Sequence, residues 1–177
     1  WVPDVYEGSP TLVTAFFAIV PKFTIVVSLV GLLFEPFFGV FSSLQPLILT
    51  SAMLSIVIAS VGALNQTRIK RLFAYSAVGH GGFLLFGVAV GTPESIQATI
   101  VYLLVYIIMS FITFSFILSL YTGASNYIVQ IVNMSRNNVV LAFTLGLTLL
   151  SIAGVPPLAG FLGKFLILSS AVGKGFY

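Results

Sequence analysis

TLVTAFFAIVPKFTIVVSLVGLLF, residues 11–34, decides how the chain is read. The stretch is apolar and long enough to cross a membrane, yet it carries a lysine, Lys22, near its middle. A helix rising ~1.5 Å per residue puts that ammonium ~16–18 Å from either end. A lysine stem snorkels only a few ångströms, so Lys22 does not reach the headgroups. A cation at the bilayer centre costs about 2.5–3.5 kcal/mol on insertion scales. Residues that bear such a cost generally face a hydrated path inside a bundle and handle protons, ions or substrate. Pro21 adds to the signal: it has no N–H and is expected to leave the carbonyl of Phe17 free beside the lysine. The rest of the chain is read as housing for that charge.

Composition agrees. Of 177 residues, 59% are hydrophobic and 6% charged, against roughly 25% charged in soluble domains. With a mean hydropathy of +1.16, the chain is an integral membrane protein. It has no cysteine and a single histidine, His80, so haem, iron–sulfur and structural zinc sites cannot be built from this chain alone. The net charge of +3 reflects loop residues that orient a membrane protein, not a nucleic-acid surface. The chain opens Trp1-Val2-Pro3-Asp4, with no initiator methionine, signal peptide or transit peptide, and ends at Tyr177 with no polar tail. It is expected to be a piece of a longer chain.

The pattern predicts an all-α, polytopic transmembrane helix bundle in one membrane domain. WVPDVYEGSP (1–10) reads as a loop, followed by spans at 11–34, 44–64, 72–91 and 96–121. Residues 121–138 are mixed and expected to be interfacial, with Ile128, Ile131 and Val132 at helical spacing. The final stretch, 138–174, is too long for one span and is interrupted by GVPPLAG (154–160), where Pro156 and Pro157 remove two consecutive donors. A hairpin of two short spans and one discontinuous helix both fit, the second being preferred. In the second, Lys164 lies near the break and deep in the protein. In the first it could snorkel. Arg68, Lys70 and Arg71 mark an inside loop, with Glu35 and Glu94 opposite and Arg136 inside.

Lys22 and Lys164 are thus the basic residues expected at depth. Buried lysines as a class can exchange protons near neutral pH, which suits a proton carrier. Asp4, Glu7, Glu35 and Glu94 all fall in predicted loops, so neither lysine has an acid of this chain to pair with. His80, among Gly79, Gly81 and Gly82, is either a hydrogen-bonded histidine on a small-residue packing face or a relay group between the lysines. Tyr75, Ser76, Tyr102, Tyr106, Ser110, Thr113 and Ser115 could hold water along such a path, although membrane hydroxyls more often join helices. No phosphate loop, dinucleotide fingerprint or metal-ligand spacing is present.

Three blocks carry a family resemblance: W-x-P-D-V-Y-E-G-S-P-T-x-V-T-A-F followed by P-K (1–22), A-L-x-Q-T-x-I-K-R-L-x-A-Y-S-x-x-x-H-x-G-F (63–83), and A-G-V-P-P-L-A-G-F-L-G-K-F (153–165). In wording and order they resemble antiporter-like subunit 2 of proton-pumping NADH:quinone oxidoreductase, respiratory complex I, over the whole chain. The resemblance implies two inverted five-helix repeats, each with one discontinuous helix, and a row of charged residues at mid-membrane. It makes 11–34 like the family's eighth span, with its connecting lysine at Lys22. It makes the last stretch like the twelfth, broken at 155–160 with the half-channel lysine at Lys164. It also raises a relay role for His80, and treats Arg68, Lys70 and Arg71 as surface anchors. The family's fifth-span acid and seventh-span lysine would lie upstream of Trp1.

The implied function is proton translocation in the mitochondrial inner membrane, or alternatively a bacterial plasma membrane. The implied partners are other membrane-arm subunits, the upstream helices of the same subunit and the lipid bilayer. NADH, FMN, iron–sulfur clusters and quinone would be bound by other subunits, with no cofactor in this chain. Alternatives are a cation/proton antiporter subunit, a hydrogenase membrane arm, or a structural module that only joins its neighbours. A small-molecule transporter would need convergent polar contacts at mid-membrane, and the sequence offers no acidic or Asn-rich cluster for them.

Overall fold

A computed structural model describes residues 1–119, 128 and 138–176. The segment expected at the interface, 121–138, and Arg136 with it, falls almost wholly outside the described residues. Ile128 is described: its N–H donates to Thr67 O at 3.0 Å, and its side chain packs on a core cluster. The described residues are helical, in the order α1 (Val2–Gly8), α2 (Thr11–Phe34), a 3-10 turn at Phe38–Val40, α3 (Phe41–Leu64), α4 (Ile69–Val90), α5 (Pro93–Ser119), α6 (Val139–Ala153) and α7 (Ala159–Gly173). Thr11–Phe34, Phe38–Leu64, Ile69–Val90 and Pro93–Ser119 are each long and apolar enough to cross a membrane. The helix expected over 11–34 has those bounds, and the helices over the next three expected spans each start three residues earlier, at Phe41, Ile69 and Pro93. α5 begins at Pro93 because Thr92 and Ser95 cap it reciprocally: Ser95 N–H donates to Thr92 Oγ1 at 3.1 Å, and Thr92 N–H to Ser95 Oγ at 3.0 Å. Proline fits the first turn, where its missing N–H would have had no partner.

α4 is the hub and packs most extensively on α3. Glycine makes that approach close. A Cβ at Gly82 would run into Ile56 and the carbonyl of Ala52, and one at Gly62 into the ring of Tyr75. α4 ends at Gly91, whose φ of 71° is left-handed. Its last carbonyls are met from outside: Gln45 Nε2 donates to Ala89 O at 2.8 Å, and Lys174 Nζ donates to Val90 O. α5 lies against α2, α4 and α7. Between them Val26, Leu84, Ala98, Tyr102, Leu103 and Ile167 form a buried cluster.

The last stretch is one discontinuous helix. α6 and α7 have 15 residues each, or about 22 Å at the helical rise, short of a ~30 Å hydrocarbon layer. Neither half is a span by itself, so the hairpin reading fails on length. α7 packs chiefly on α5, with much smaller contact to α6. α6 closes with Gly154 at φ 87° and with Gly154 and Val155 N–H both donating to Leu150 O at 3.1 Å. The break occupies 154–158, so Ala159 and Gly160 already open the second half.

The first ten residues depart from expectation. They read as a loop, but Val2–Gly8 is helical, with a proline and Asp4 in the first turn. Seven residues are too few to hold a helix alone, so tertiary contacts hold it, and no local pattern could reveal them. Tyr6 is buried, its ring edge-on to Phe114 with centroids 6.3 Å apart. Glu7 pairs with Arg68, and with Arg71 at 3.3 Å, while Arg71 Nη2 lies 3.6 Å from Asp4. Lys70 is buried and donates to Ser9 O at 2.9 Å. The basic cluster therefore sits at the start of α4 rather than in a free loop. Cations there oppose the helix dipole, and α1 supplies the compensating acids.

Tyr6→Ala removes a buried aromatic and is expected to lower stability by about 3 kcal/mol. Glu7→Gln loosens partly exposed ion pairs and is expected to cost about 1 kcal/mol or less. Thermal unfolding of the purified assembly checks the ranking. Equal losses would show that the ion pairs, not the aromatic packing, hold α1.

Candidate functional site

Lys22 leaves α2 one residue after Pro21 and reaches two neighbouring helices. Its Nζ donates to Ala77 O of α4 and, at 2.9 Å, to the hydroxyl of Tyr106 on α5. The ammonium also lies 4.1 Å from the centroid of the Tyr106 ring, within cation–π range. The Tyr106 hydroxyl in turn donates to Ala18 O of α2 at 3.4 Å, closing a three-helix contact around the charge. The Phe17 carbonyl, expected beside the lysine, is not among the ammonium's partners. Five residues of helix turn Phe17 about 140° away from Lys22.

His80 is buried in the middle of α4. Its Nδ1 lies 2.5 Å from the hydroxyl of Tyr102, one helical turn before Tyr106 on α5. The imidazole is 5.8 Å from the Tyr102 ring and 5.2 Å from the Tyr106 ring, centroid to centroid. The glycines around it divide the work. Gly79 and Gly82 face α3, whereas Gly81 faces the stem of Lys22. Both elements of the packing interpretation are thus present, a small-residue face and a hydrogen-bonded histidine. Placement beside Tyr106 adds what the sequence could not show.

Lys164 opens from the second turn of α7 and folds back over the break. Its Nζ donates to Ile152 O at 3.1 Å and to Ala153 O at 3.2 Å. Those are the last carbonyls of α6, so the lysine caps the negative end of that half-helix. Its ammonium is 5.3 Å from the Phe83 ring. On the other side of the break, Ser151 Oγ accepts the N–H of Gly160 at 3.2 Å. A Cβ on Gly163 would collide with the Tyr102 ring, which places the start of α7 directly on the histidine's partner.

Lys22 and Lys164 do not touch, but two cavities lie between their surroundings. A cleft of about 270 Å³ is lined by Lys164, Ala153, Tyr75, Ser76, Ser60 and His80, among others. A small cavity of about 20 Å³ is lined by Tyr106, Ala77, Ser76, His80, Ser110 and Thr113 with several apolar side chains. Ser76, His80 and Ile152 border both. Neither lysine has a carboxylate partner among the described residues, where the ion pairs join α1 to the start of α4. No three metal-ligating side chains converge there either. Of the hydroxyls singled out by sequence, Ser115 is exposed and Thr113 bonds its own helix at Ser110 O. Tyr102 and Tyr106 are the two that meet titratable side chains. Sequence reading assigned no capping role to Gln45, Ser151 or Lys174, because such a role depends on which groups at the helix ends the fold brings to them.

Gly160→Ala is expected to destabilise the break by about 1–3 kcal/mol, because the added methyl points into the carbonyl of Ser151. Gly173→Ala on the same half-helix meets nothing within 4 Å and serves as control. Thermal stability of the assembly compares them, and equal behaviour would contradict the close approach at Gly160.

Residues 1–177 match the family model described as NADH:quinone oxidoreductase/Mrp antiporter, TM. The chain is 46% identical over 180 residues to NADH-ubiquinone oxidoreductase chain 2 of Metridium senile, covering 100% of this chain and 43% of that protein. It is 42% identical over 179 residues to NADH-quinone oxidoreductase subunit N of Parvibaculum lavamentivorans, covering 100% of this chain and 37% of the relative. A chain of respiratory complex I from Thermus thermophilus, solved with bound aureothin, superposes with a TM-score of 0.81 at 32% identity, over 99% of this chain and 38% of that one. The chain spans less than half the length of these relatives. With the family model matching the whole chain and a solved relative sharing its fold, the chain belongs to the NADH:quinone oxidoreductase/Mrp antiporter transmembrane family.

Proposed function

We propose that this chain is part of a proton-translocating membrane subunit of NADH:quinone oxidoreductase, respiratory complex I, in the mitochondrial inner membrane. One observation carries the reading. Two lysines, Lys22 at the middle of α2 and Lys164 beside the helix break, are satisfied by neutral carbonyls, a hydroxyl and aromatic faces, and His80 borders both cavities between them. A lysine held by neutral dipoles can lose its proton without leaving an unpaired carboxylate behind, so both of its charge states are tolerable. Lys22 and Lys164 are the residues that take up and release the proton, and His80 is the relay between them. The relatives' names support the reading. They speak of NADH and of ubiquinone or quinone, and the solved relative belongs to complex I. NADH, FMN, iron–sulfur clusters and quinone are assigned to other subunits. The partners are other membrane-arm subunits and the upstream helices of the same subunit, whether on this polypeptide or another.

A structural module is the second reading, and Lys164 itself favours it. A lysine that caps Ile152 and Ala153 would be retained for stability even if no proton moved.

Replacement in the assembled complex separates the two. With Lys164→Ala or Lys22→Ala, assembly and NADH oxidation with an artificial acceptor are expected to persist. Quinone-coupled turnover and proton pumping in sealed vesicles are expected to fall severalfold. Unchanged pumping per NADH in both variants would make the lysines architectural.

A further inference from the structure

Tyr106 meets both Lys22 and His80. Its hydroxyl oxygen accepts from Lys22 Nζ at 2.9 Å, and its ring lies 4.1 Å below the ammonium and 5.2 Å from the imidazole. The same side chain forms part of the wall of the 20 Å³ cavity that His80, Ser76, Ser110 and Thr113 border. A volume of that size holds one water where about two to four polar groups reach it, and the side chains of Tyr106, His80, Ser76, Ser110 and Thr113 supply the polar part of this otherwise apolar lining. The hydroxyl proton is only loosely committed: its bond to Ala18 O is 3.4 Å, beyond the usual range. Rotation about the phenolic C–O bond can turn that proton toward the cavity.

We infer that Tyr106 passes protons between Lys22 and His80, by way of one water in the small cavity. This rests on the proposal that Lys22 carries protons. In the step, an N–H bond of the Lys22 ammonium breaks as its proton joins the phenolic oxygen. The phenol's own O–H bond breaks toward the water, and the water delivers a proton to the neutral imidazole. Lysine ends neutral, tyrosine and water end unchanged, and histidine carries the charge; nothing is oxidised or reduced. A phenol neither holds an extra proton nor gives up its own for long near neutral pH, so it serves as a conduit and not as a store. The geometry at His80 selects a nitrogen. Nδ1 is engaged with the Tyr102 hydroxyl at 2.5 Å, so the incoming proton goes to Nε2. That requires the tautomer in which Nδ1–H donates to Tyr102. Tyr102 is therefore a positioning residue for the same relay.

Three variants in the assembled complex test this: Tyr106→Phe, which keeps the ring and loses the hydroxyl; Tyr106→Leu, which loses both; and Lys22→Ala. The measurements are proton pumping per NADH and quinone-coupled turnover, in water and in deuterium oxide, with assembly checked on the same membranes. Tyr106→Phe is expected to assemble normally, to lose pumping severalfold and nearly as far as Tyr106→Leu, and to change the solvent isotope effect. If Tyr106→Phe pumps like the parent while Lys22→Ala does not, the relay is overturned and the lysine's role survives. If Lys22→Ala also pumps normally, the underlying proposal fails and takes the relay with it. Should Tyr106→Leu not assemble, the comparison of Tyr106→Phe with the parent still decides.

Discussion

An ammonium inside an apolar helix bundle must be solvated by the protein, and this requirement organises the structure. Lys22 is met by a main-chain carbonyl, a phenolic hydroxyl and an aromatic face, each from a neighbouring helix. Lys164 is met by the free carbonyls at the end of a half-helix. Neither arrangement uses a carboxylate among the described residues. A buried ion pair would fix its lysine in the charged form, because neutralising one partner strands the other. Neutral dipoles impose no such lock.

The broken helix and the lysine that caps it are one device. An uninterrupted helix would have consumed the carbonyls of Ile152 and Ala153 in its own ladder. The break releases them, and α7 returns a cation to them from its second turn. Ser151 works in the other direction, accepting an N–H at the start of α7 while its helix ends. Non-helical backbone at membrane depth is tolerated where protein satisfies it, and here the satisfying groups come from the two halves themselves.

α4 links this device to Lys22. Its glycines admit α3 on one side and the Lys22 stem on another, and its histidine lies against the two tyrosines of α5. At its start, the acids of α1 offset Arg68 and Arg71, which would otherwise oppose the helix dipole, and the carbonyl of Ser9 takes up Lys70. At its end, Gln45 and Lys174 take up the last carbonyls. Few side chains on α4 are therefore free to move without a consequence on another helix.

Composition and periodicity alone determined that the chain is a bundle of membrane-spanning helices, because burial in lipid demands long apolar runs that any reader can count. The anomalies were equally legible: a lysine at the centre of 11–34, two prolines inside 138–174 and one histidine among glycines stand out against an apolar background. Tertiary structure alone decided what those groups touch. That α1 is a helix follows from Tyr6 and Glu7 meeting residues more than sixty positions away, beyond the reach of local propensity. The pairing of Lys22 with Tyr106 and of His80 with Tyr102 depends on the rotation of α2, α4 and α5 about their axes. Hydropathy counts the apolar residues on each helix but leaves that rotation undetermined, since it is set by how the side chains of neighbouring helices fit together.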